Sequence, residues 1–197
     1  MIVQVQGTSG SGKSTLVRDL MTWGRRAGQV DPVMYRGKII DYVITVPTRG
    51  KRGVALIGKY ETPCGGCDQV GSSAEVLRRV RRYASKGYDV VFEGLLLSGG
   101  QGTLGRAMLK YGKDFAYAFL DTPLETCLAR VRARRYARAL KAGREKEVKP
   151  LNPKNTTAKW HACQRYREKC LGLGYRQYAL LPHKRPLPGL LKLLGLK

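Results

Sequence analysis

One stretch near the start of the chain constrains its fold more than any other. Residues 2 to 15 read IVQVQGTSGSGKST, which fits the spacing G-x-x-x-x-G-K-[ST] with Gly7, Gly12, Lys13 and Ser14 in register. A short apolar run comes before the glycines, and a helical pattern with an apolar face follows them. A strand, a glycine loop and a helix in this succession are typical of a phosphate-binding site.

The residue types of this stretch suit a nucleoside triphosphate. Glycines let successive backbone N–H groups turn towards an anion, and the positive end of the following helix points to the same place. Lys13 can reach the outer phosphates, and the Ser14 hydroxyl can bind Mg²⁺. We therefore predict ATP and Mg²⁺ here, with Lys13 taking part in catalysis. The predicted nucleotide-binding residues are Gly7, Thr8, Ser9, Gly10, Ser11, Gly12, Lys13, Ser14 and Thr15.

A second apolar strand ends in an acidic residue. Residues 88 to 94 read YDVVFEG, and a continuous apolar run is typical of a strand buried in a parallel sheet. Glu93, at the carboxyl end of this strand, is predicted to lie beside the phosphate-binding loop and to hold Mg²⁺ through water, together with Ser14. The alternative is an acid that ends the strand without a role.

The charge of the chain indicates a polyanionic partner. Its 197 residues include 37 Lys and Arg against 14 Asp and Glu, a formal net charge of +23. An excess of this size costs folding stability through self-repulsion, and a nucleic-acid partner explains it. Two alternatives stay open, a basic surface that binds nothing and an anionic membrane, although no basic amphipathic anchor supports the membrane.

Length and hydropathy indicate one α/β domain with an insertion. Every apolar stretch is too short or too interrupted to cross a bilayer. A strand that begins at residue 2 leaves no room for a signal peptide, so we expect a cytoplasmic protein.

The five cysteines are more typical of thiols or metal ligands than of a disulfide framework in such a chain. Cys64 and Cys67 form a C-x-x-C pair, and a zinc ion would need His161, Cys163 and Cys170 to complete its site. Small side chains packed in a tight loop are the alternative.

A tight loop after a predicted strand supplies a candidate general base. Residues 61 to 68 read ETPCGGCD, and proline with paired glycines fixes a turn just past a strand end, where binding residues tend to lie. Phosphoryl transfer needs a carboxylate that orients or deprotonates the acceptor hydroxyl, and Asp68 is the first candidate. Asp41 is the second candidate. Asp68 can instead cap the next helix.

Residues 38 to 60 are predicted to form a β-hairpin inserted into the α/β core. Two apolar runs flank a turn-like segment whose tip carries Arg49, Lys51 and Arg52. A cationic tip suits contact with phosphates, and a solvated basic loop explains the same pattern.

Two predicted helices are rich in arginine, one at residues 72 to 86 and one at residues 124 to 142. In the second helix Arg130 and Arg134 lie four residues apart and can face one site. One or more of Arg130, Arg132 and Arg134 are predicted to stabilise the transferred phosphoryl group. Contact with solvent or with a polyanion is the alternative for most of these arginines.

The remaining elements carry fewer functional expectations. Asp121 or Thr122 is predicted to cap the helix of residues 124 to 142, with proline in its first turn. A mobile polar loop is predicted at residues 143–159 and a helix at residues 157–170. A last strand at residues 178–181 and a loop at residues 182–188 follow.

With these motifs in view, the chain resembles the P-loop kinase superfamily, which includes nucleoside-monophosphate and polynucleotide kinases. The resemblance rests on residues 7 to 15, on residues 90 to 94, and on residues 120 to 123 leading into an arginine-bearing helix. The chain looks most like small phage-encoded members such as the 5-hydroxymethyluracil DNA kinases. Those enzymes phosphorylate a base hydroxymethyl group in DNA.

The resemblance implies a P-loop NTPase or kinase fold, with a central parallel sheet flanked by helices and a β-hairpin insertion. It implies transfer of the γ-phosphoryl group of ATP to a hydroxyl on modified, double-stranded DNA, which requires the nucleotide to be flipped out or the helix to be distorted. Deoxynucleoside monophosphate kinase, polynucleotide 5′-hydroxyl kinase and DNA-stimulated NTPase are the alternatives.

Overall fold

A sheet of seven strands forms the centre of the computed structural model, which describes residues 1–47, 53–62, 65–94, 107–108, 110–144, 150–172 and 178–196. The strands are β1 (Ile2–Gln6), β2 (Gln29–Tyr35), β3 (Lys38–Thr45), β4 (Val54–Ile57), β5 (Asp89–Glu93), β6 (Phe115–Asp121) and β7 (Tyr178–Pro182). The helices are α1 (Lys13–Ala27), α2 (Ser73–Ser85), α3 (Leu124–Lys141), α4 (Lys154–Gly172) and α5 (Leu187–Leu193).

The strands lie in the order β2-β3-β4-β5-β1-β6-β7. The five strands from β4 to β7 in this order are parallel, whereas β3 runs antiparallel to both β2 and β4. β1 therefore lies inside the sheet, and all five of its residues are buried. These features confirm the predicted α/β fold of the P-loop kinase type, with a central sheet that is mostly parallel.

Helices cover both faces of the sheet. Buried side chains of α2 and α4 form one core cluster with the sheet, and those of α1 and α5 form the other. Successive residues of β1 point to opposite faces, so Ile2 belongs to the first cluster and Val3 to the second. The continuous apolar runs of β1 and β5 follow from this cover on both sides.

Strand β2 was not predicted from the sequence. Its segment QVDPVMY has neither a continuous apolar run nor a clean alternation, and it contains Pro32. Among the described strands, β2 lies at the edge of the sheet and pairs only with β3. An edge strand tolerates proline because one side of it needs no ladder hydrogen bonds. The predicted hairpin therefore supplies two strands of a three-stranded antiparallel unit, β2-β3-β4.

Strand direction places the two turns of this unit at opposite edges of the sheet. The basic tip with Arg49, Lys51 and Arg52 lies outside the described residues, but the strand ends that it joins, Thr45 and Val54, lie at the amino edge of the parallel strands. The turn between β2 and β3 lies at the carboxyl edge, the edge at which β1 and β5 end.

The prediction that Asp121 or Thr122 caps α3 is wrong. The N-cap is Pro123, and no side chain caps it. Thr122 Oγ1 donates instead to the Ser11 carbonyl at 2.9 Å, and Asp121 accepts from Arg167 at 3.3 Å. These two side chains therefore tie the end of β6 to neighbouring segments.

Other boundaries are closer to the predictions. Ser72 caps α2 by accepting from the Glu75 amide, as the sequence predicts. The helix predicted over residues 157–170 begins earlier, at Lys154, where the Asn152 side chain accepts from the backbone amide. Of the described helices, not one is both long enough and apolar enough to cross a membrane.

A buried carboxylate ties β3 to β4 and α2. Asp41, with 1% of its surface exposed, accepts from the Gly58 amide at 2.9 Å and from the Tyr83 hydroxyl at 3.2 Å. Its third partner is Arg79, at 3.1 Å. Arg79 also pairs with Glu75, so one arginine of α2 points inward and carries no charge to the surface.

We expect Asp41→Ala to lower the free energy of unfolding by about 3–5 kcal/mol, because the Gly58 amide, the Tyr83 hydroxyl and one Arg79 nitrogen all lose their shared acceptor in a buried place. Urea denaturation measures the loss. Asp31→Ala on the neighbouring strand is the matched control, since Asp31 accepts from the exposed Gln29 side chain, and it should change the free energy by less than about 1 kcal/mol. Equal losses in the two variants would contradict a structural role for Asp41.

Candidate active site

The glycine loop between β1 and α1 opens onto the carboxyl edge of the sheet. Gly12 is the N-cap of α1 with φ 102°, and Gly10 has φ 83°, both values that favour glycine. The first intrahelical hydrogen bond runs from the Leu16 amide to the Gly12 carbonyl. The amides of Lys13, Ser14 and Thr15 therefore have no acceptor within the helix and are available to an anion at its start.

Two basic side chains, Lys13 and Arg130, donate to the carbonyl groups of the loop. Lys13 Nζ donates to Gly7 at 2.8 Å and to Thr8 at 3.1 Å. Arg130 donates to the carbonyls of Gly10 and Ser11 at 3.3 and 3.2 Å. Because these carbonyls are occupied, the loop is fixed in a conformation that leaves its amides for a ligand.

The loop also packs directly against α3. A Cβ atom on Gly10 would collide with the Cys127 carbonyl oxygen, so only glycine fits at that position. On the other side Thr8 is buried and its hydroxyl donates to the Thr156 carbonyl of α4 at 3.4 Å. The loop is thus held between α3 and α4.

Glu93 lies beside the loop, as predicted. β5 and β1 are paired so that Glu93 stands next to Val5, and its Oε1 accepts from Ser14 Oγ at 2.6 Å. The side chain has 2% of its surface exposed, and its Oε2 has no hydrogen-bond partner among the described residues. Burial raises the pKa of Glu93 from 4.5 to about 7, against the lowering effects of Lys13 and the Ser14 hydroxyl.

This pair of oxygen groups fits a hard cation. A buried carboxylate oxygen without a partner is costly unless something neutralises it. A serine hydroxyl and a carboxylate at the start of a phosphate-binding helix are the oxygen ligands that Mg²⁺ prefers beside phosphates. Ser14 and Glu93 are therefore able to hold Mg²⁺.

Asp68 lies next to Glu93 on a short 3-10 helix, Cys67–Gln69. A Cβ atom on Gly66, which has φ 79°, would collide with the Glu93 carboxylate, and one on Gly94 would lie 3.0 Å from Asp68 Oδ1. The two glycines let the Asp68 turn approach the end of β5. Ser72 caps the next helix, so Asp68 does not serve as that cap.

A cavity of about 790 Å³ joins these groups. Its floor is the loop and the first turns of α1, and Asp68 and Glu93 stand at one side. A row on α3 forms one wall, with Arg130, Ala133, Arg134 and Ala137 at the helical spacing. His183, Lys184 and Pro186 line it from the segment after β7.

Of the three predicted arginines on α3, two line the cavity and one does not. Arg130 and Arg134 both line the cavity, in agreement with their spacing of four residues. Arg132 is exposed and is not among the lining residues. Arg134 also lines a smaller adjoining cavity of about 190 Å³ between α3 and the start of α4.

Some lining residues were not predicted. Arg18 lies one turn after Ser14 on α1, and its guanidinium donates to the Thr62 carbonyl at 3.1 Å. The spacing of four from Ser14 was the available signal, since it puts both residues on one face of the helix. Asp19 lines the cavity beside it.

The cysteines do not assemble around a metal in the described part of the chain. Cys67, Cys163 and Cys170 are buried in the same large apolar cluster, and burial raises the pKa of each thiol. No group of three metal-binding side chains occurs among the described residues, and Cys64 lies outside them. These three thiols and that of Cys127 are all buried, and His161 lies exposed beside Trp160.

Trp160 is half-buried and donates from Nε1 to the Thr122 carbonyl at 2.9 Å, so it ties α4 to the end of β6. This contact is structural and does not place the indole in the cavity.

A glycine loop that holds phosphate at the carboxyl edge of a parallel sheet, a buried carboxylate beside its serine and arginines facing it from a neighbouring helix are the features of a P-loop kinase. Sequence comparison agrees. The family model described as 5-hmdU DNA kinase matches residues 1–148, which include Lys13, Asp68, Glu93 and Arg130. The chain belongs to the 5-hmdU DNA kinase family.

Phage proteins are among its relatives. A 5-hmdU DNA kinase of Pseudomonas phage PaMx11 is 35% identical over 161 residues, which cover 81% of this chain and 79% of the relative. A 5-hmdU DNA kinase of Pseudomonas phage M6 is 28% identical over 184 residues, 87% and 86% of the two chains. The 5-hmdU DNA kinase 1 of Salmonella phage ViI is 31% identical over 136 residues, 66% and 57% of the two chains.

The buried Glu93 should make the ligand-free protein less stable as pH rises. Its pKa is about 7 in the folded protein and 4.5 otherwise. Between these values the folded state keeps a proton that the unfolded state has lost, so the free energy of unfolding falls as pH rises from 4.5 to 7 and is level above that. The loss amounts to about 3 kcal/mol.

Glu93→Gln removes this titration. We expect the variant to be more stable than the parent at pH 8, by about 1–3 kcal/mol, and equal to it near pH 5. Urea denaturation without Mg²⁺ or nucleotide measures both, and Glu125→Gln, an exposed residue at the start of α3, is the control that should show no such difference. A Glu93→Gln variant less stable than the parent at pH 8 would contradict the cost of the buried charge.

Proposed function

We propose that this protein transfers the γ-phosphoryl group of ATP to the hydroxymethyl group of 5-hydroxymethyluracil in DNA. The observation that carries the proposal is the single cavity in which Asp68 and Glu93 share a space with the phosphate-binding loop. The family supplies the substrate, since its relatives are named 5-hmdU DNA kinases. A kinase of this family uses ATP as its phosphoryl donor.

The donor half of the site lies between the loop and α3. Amides at the start of α1 and the Lys13 ammonium bind the β- and γ-phosphates. Arg130 and Arg134 line the same space and stabilise negative charge on the transferred group. The small side chains of Ala133 and Ala137, with Pro186 nearby, leave a flat apolar wall for the adenine base.

The acceptor half lies at Asp68. Its carboxylate takes the proton of the acceptor hydroxyl while that oxygen forms a bond to the γ-phosphorus. The bond from the γ-phosphorus to the β–γ bridging oxygen breaks at the same time, and ADP leaves. Ser14 and Glu93 would hold Mg²⁺, which would neutralise charge on the phosphates.

A polymeric acceptor is consistent with the net charge of +23. Lys and Arg in this excess bind phosphates along a nucleic-acid backbone, a need that a free nucleotide does not create. We infer that the chain works as one P-loop domain on double-stranded, modified DNA. Since the relatives are phage proteins, we assign the reaction to the cytoplasm of the infected host.

A panel of acceptors tests the substrate directly. Protein and γ-labelled ATP are incubated with 5-hydroxymethyluracil DNA, with unmodified 5′-hydroxyl DNA, with dTMP and with no acceptor. We expect label on the modified DNA alone. Label on 5′ ends or on dTMP would replace the proposal with one of the other kinase activities, and phosphate release without an acceptor would indicate an NTPase.

Asp68→Asn tests the general base. The variant keeps the shape of the side chain but not its basicity, so we expect kcat to fall by roughly 10²–10⁴-fold while the KM for ATP stays near that of the parent. Asp114→Asn is the matched control, because Asp114 also lies in a 3-10 helix, just before the start of β6. An active Asp68→Asn variant would remove Asp68 from the mechanism.

Lys13→Ala should abolish phosphoryl transfer and leave salt-sensitive DNA binding.

A further inference from the structure

The turn between β2 and β3 has an unusual backbone. Arg36 and Gly37, its two central residues, both have positive φ, 48° and 71°, which is the pattern of a type I′ turn. Such turns favour asparagine and glycine at both places, and Arg36 is the one residue other than glycine with positive φ in the described part of the chain. An arginine kept in a strained position suggests a role for its side chain.

The tip (residues 34 to 38) exposes apolar side chains as well as charge. Tyr35 has 58% and Met34 53% of its surface exposed. The Arg36 guanidinium lies over the Tyr35 ring, 5.3 Å from its centroid, and Lys38 follows on the other strand. The tip therefore carries one aromatic ring, one flexible apolar side chain and two cations.

Strand direction puts this tip on the same side of the sheet as the active site. β2 is parallel to β4 and β5, and its carboxyl end points the same way as Glu93 at the end of β5. β2 and β5 are separated by two intervening strands, so the tip stands roughly 14 Å to the side of Glu93, from three strand spacings of about 4.8 Å.

The charge around the tip is positive. Arg79 donates to the Ile40 carbonyl, which brings α2 alongside β3, and the neighbouring Arg78 is exposed. The acidic groups in this region are already paired, Glu75 with Arg78 and Arg79, and Asp41 with Arg79. With these two arginines and two acids in balance, the Arg36 and Lys38 cations of the tip make the surface around Tyr35 positive and complementary to a polyanion.

We propose that the tip is a wedge that enters the base stack of duplex DNA beside the acceptor nucleotide. A base in a duplex cannot reach an enclosed active site until it leaves the stack. Apolar side chains inserted between base steps unstack them and kink the duplex, and an aromatic ring stacks on any base. Tyr35 stacks on the bases next to the extruded nucleotide, and Arg36 and Lys38 bind the flanking phosphates.

The positions of the cavity and the tip suit these two roles, acceptor binding and contact with the duplex. The extruded nucleotide occupies the cavity at Asp68 while the tip, to the side of that cavity, contacts the duplex that the nucleotide has left. The proposal rests on the proposed function, since a wedge is needed only for an acceptor within paired DNA.

Three DNA acceptors distinguish an effect of Tyr35 on base extrusion from an effect on phosphoryl transfer. One is a duplex with a single 5-hydroxymethyluracil opposite adenine, the second is the same duplex with an abasic site opposite the modified base, and the third is the modified strand alone. We expect Tyr35→Ala to lower kcat/KM on the paired duplex by roughly tenfold or more, because one base loses its aromatic partner. The loss should be smaller on the abasic duplex and absent on the single strand.

Further readouts separate stacking from a general structural effect. A 2-aminopurine in place of the modified base should brighten when the parent protein binds, because the extruded ring leaves the stack, and should not brighten with Tyr35→Ala. Tyr35→Trp should restore both the fluorescence and the duplex activity. Tyr136→Ala removes another exposed ring, on α3, and should leave the preference among the three acceptors unchanged.

Arg36→Gly should move stability and activity in opposite directions. Glycine accepts the positive φ without strain, so the thermal midpoint should rise, while duplex activity should fall because a phosphate contact is lost.

Each remaining outcome counts against the wedge. Equal losses of Tyr35→Ala on all three acceptors, or no loss on the paired duplex, would overturn it while leaving the proposed function intact. A parent protein that phosphorylates the single strand but not the duplex would also overturn it. Dissociation of a dimer by Tyr35→Ala would reassign the tip to a contact between copies of the chain. A parent protein that phosphorylates none of the three would overturn the proposed function, and the wedge with it.

Discussion

A buried carboxylate at the carboxyl edge of the sheet is the constraint on which the rest of the site depends. Glu93 has one oxygen bonded to Ser14 and the other without a partner among the described residues. Burial raises its pKa to about 7, so an ionised Glu93 destabilises the protein until a cation or phosphate-bound metal reaches it. Gly66 is required beside it, because any side chain there would collide with the carboxylate. The fold thus keeps the Glu93 carboxylate at the candidate active site although its burial lowers the stability of the protein.

Segments distant in the chain meet at this edge because the central strands are parallel. The glycine loop follows β1, Glu93 is the last residue of β5, and Asp68 lies in the segment after β4. α3 then fixes the loop from outside, since Arg130 and Thr122 occupy its carbonyls and Gly10 touches the helix backbone. The same topology places the β2–β3 tip on the side of the sheet where the glycine loop lies.

Much of this arrangement could be predicted from local patterns. The loop and Glu93 have strong signals, because glycine spacing and a buried strand with a terminal acid each depend on few residues. α2 could be placed by its Ser72 cap, and the spacing of Arg130 and Arg134 correctly put both on the cavity. β2 could not be predicted, since an edge strand with Pro32 has no apolar pattern. In the sequence Asp41 is a candidate general base and Arg79 is one of several arginines on a predicted helix. Asp41 does not line the cavity, and its burial against Arg79 follows from contacts between β3 and α2 that no local pattern encodes. The capping prediction for α3 failed because Thr122 bonds to the loop instead, a tertiary contact that outweighs the local preference.

The position of the transferred phosphate tests the central claim most directly. A duplex carrying one 5-hydroxymethyluracil and free 5′ hydroxyls is reacted with ATP, digested to nucleosides without phosphatase, and examined by mass spectrometry. The proposed chemistry predicts one added phosphoryl group on the hydroxymethyl oxygen of the modified base, with the 5′ ends unchanged. A phosphoryl group on a 5′ end, on a sugar or on no nucleoside at all would contradict it.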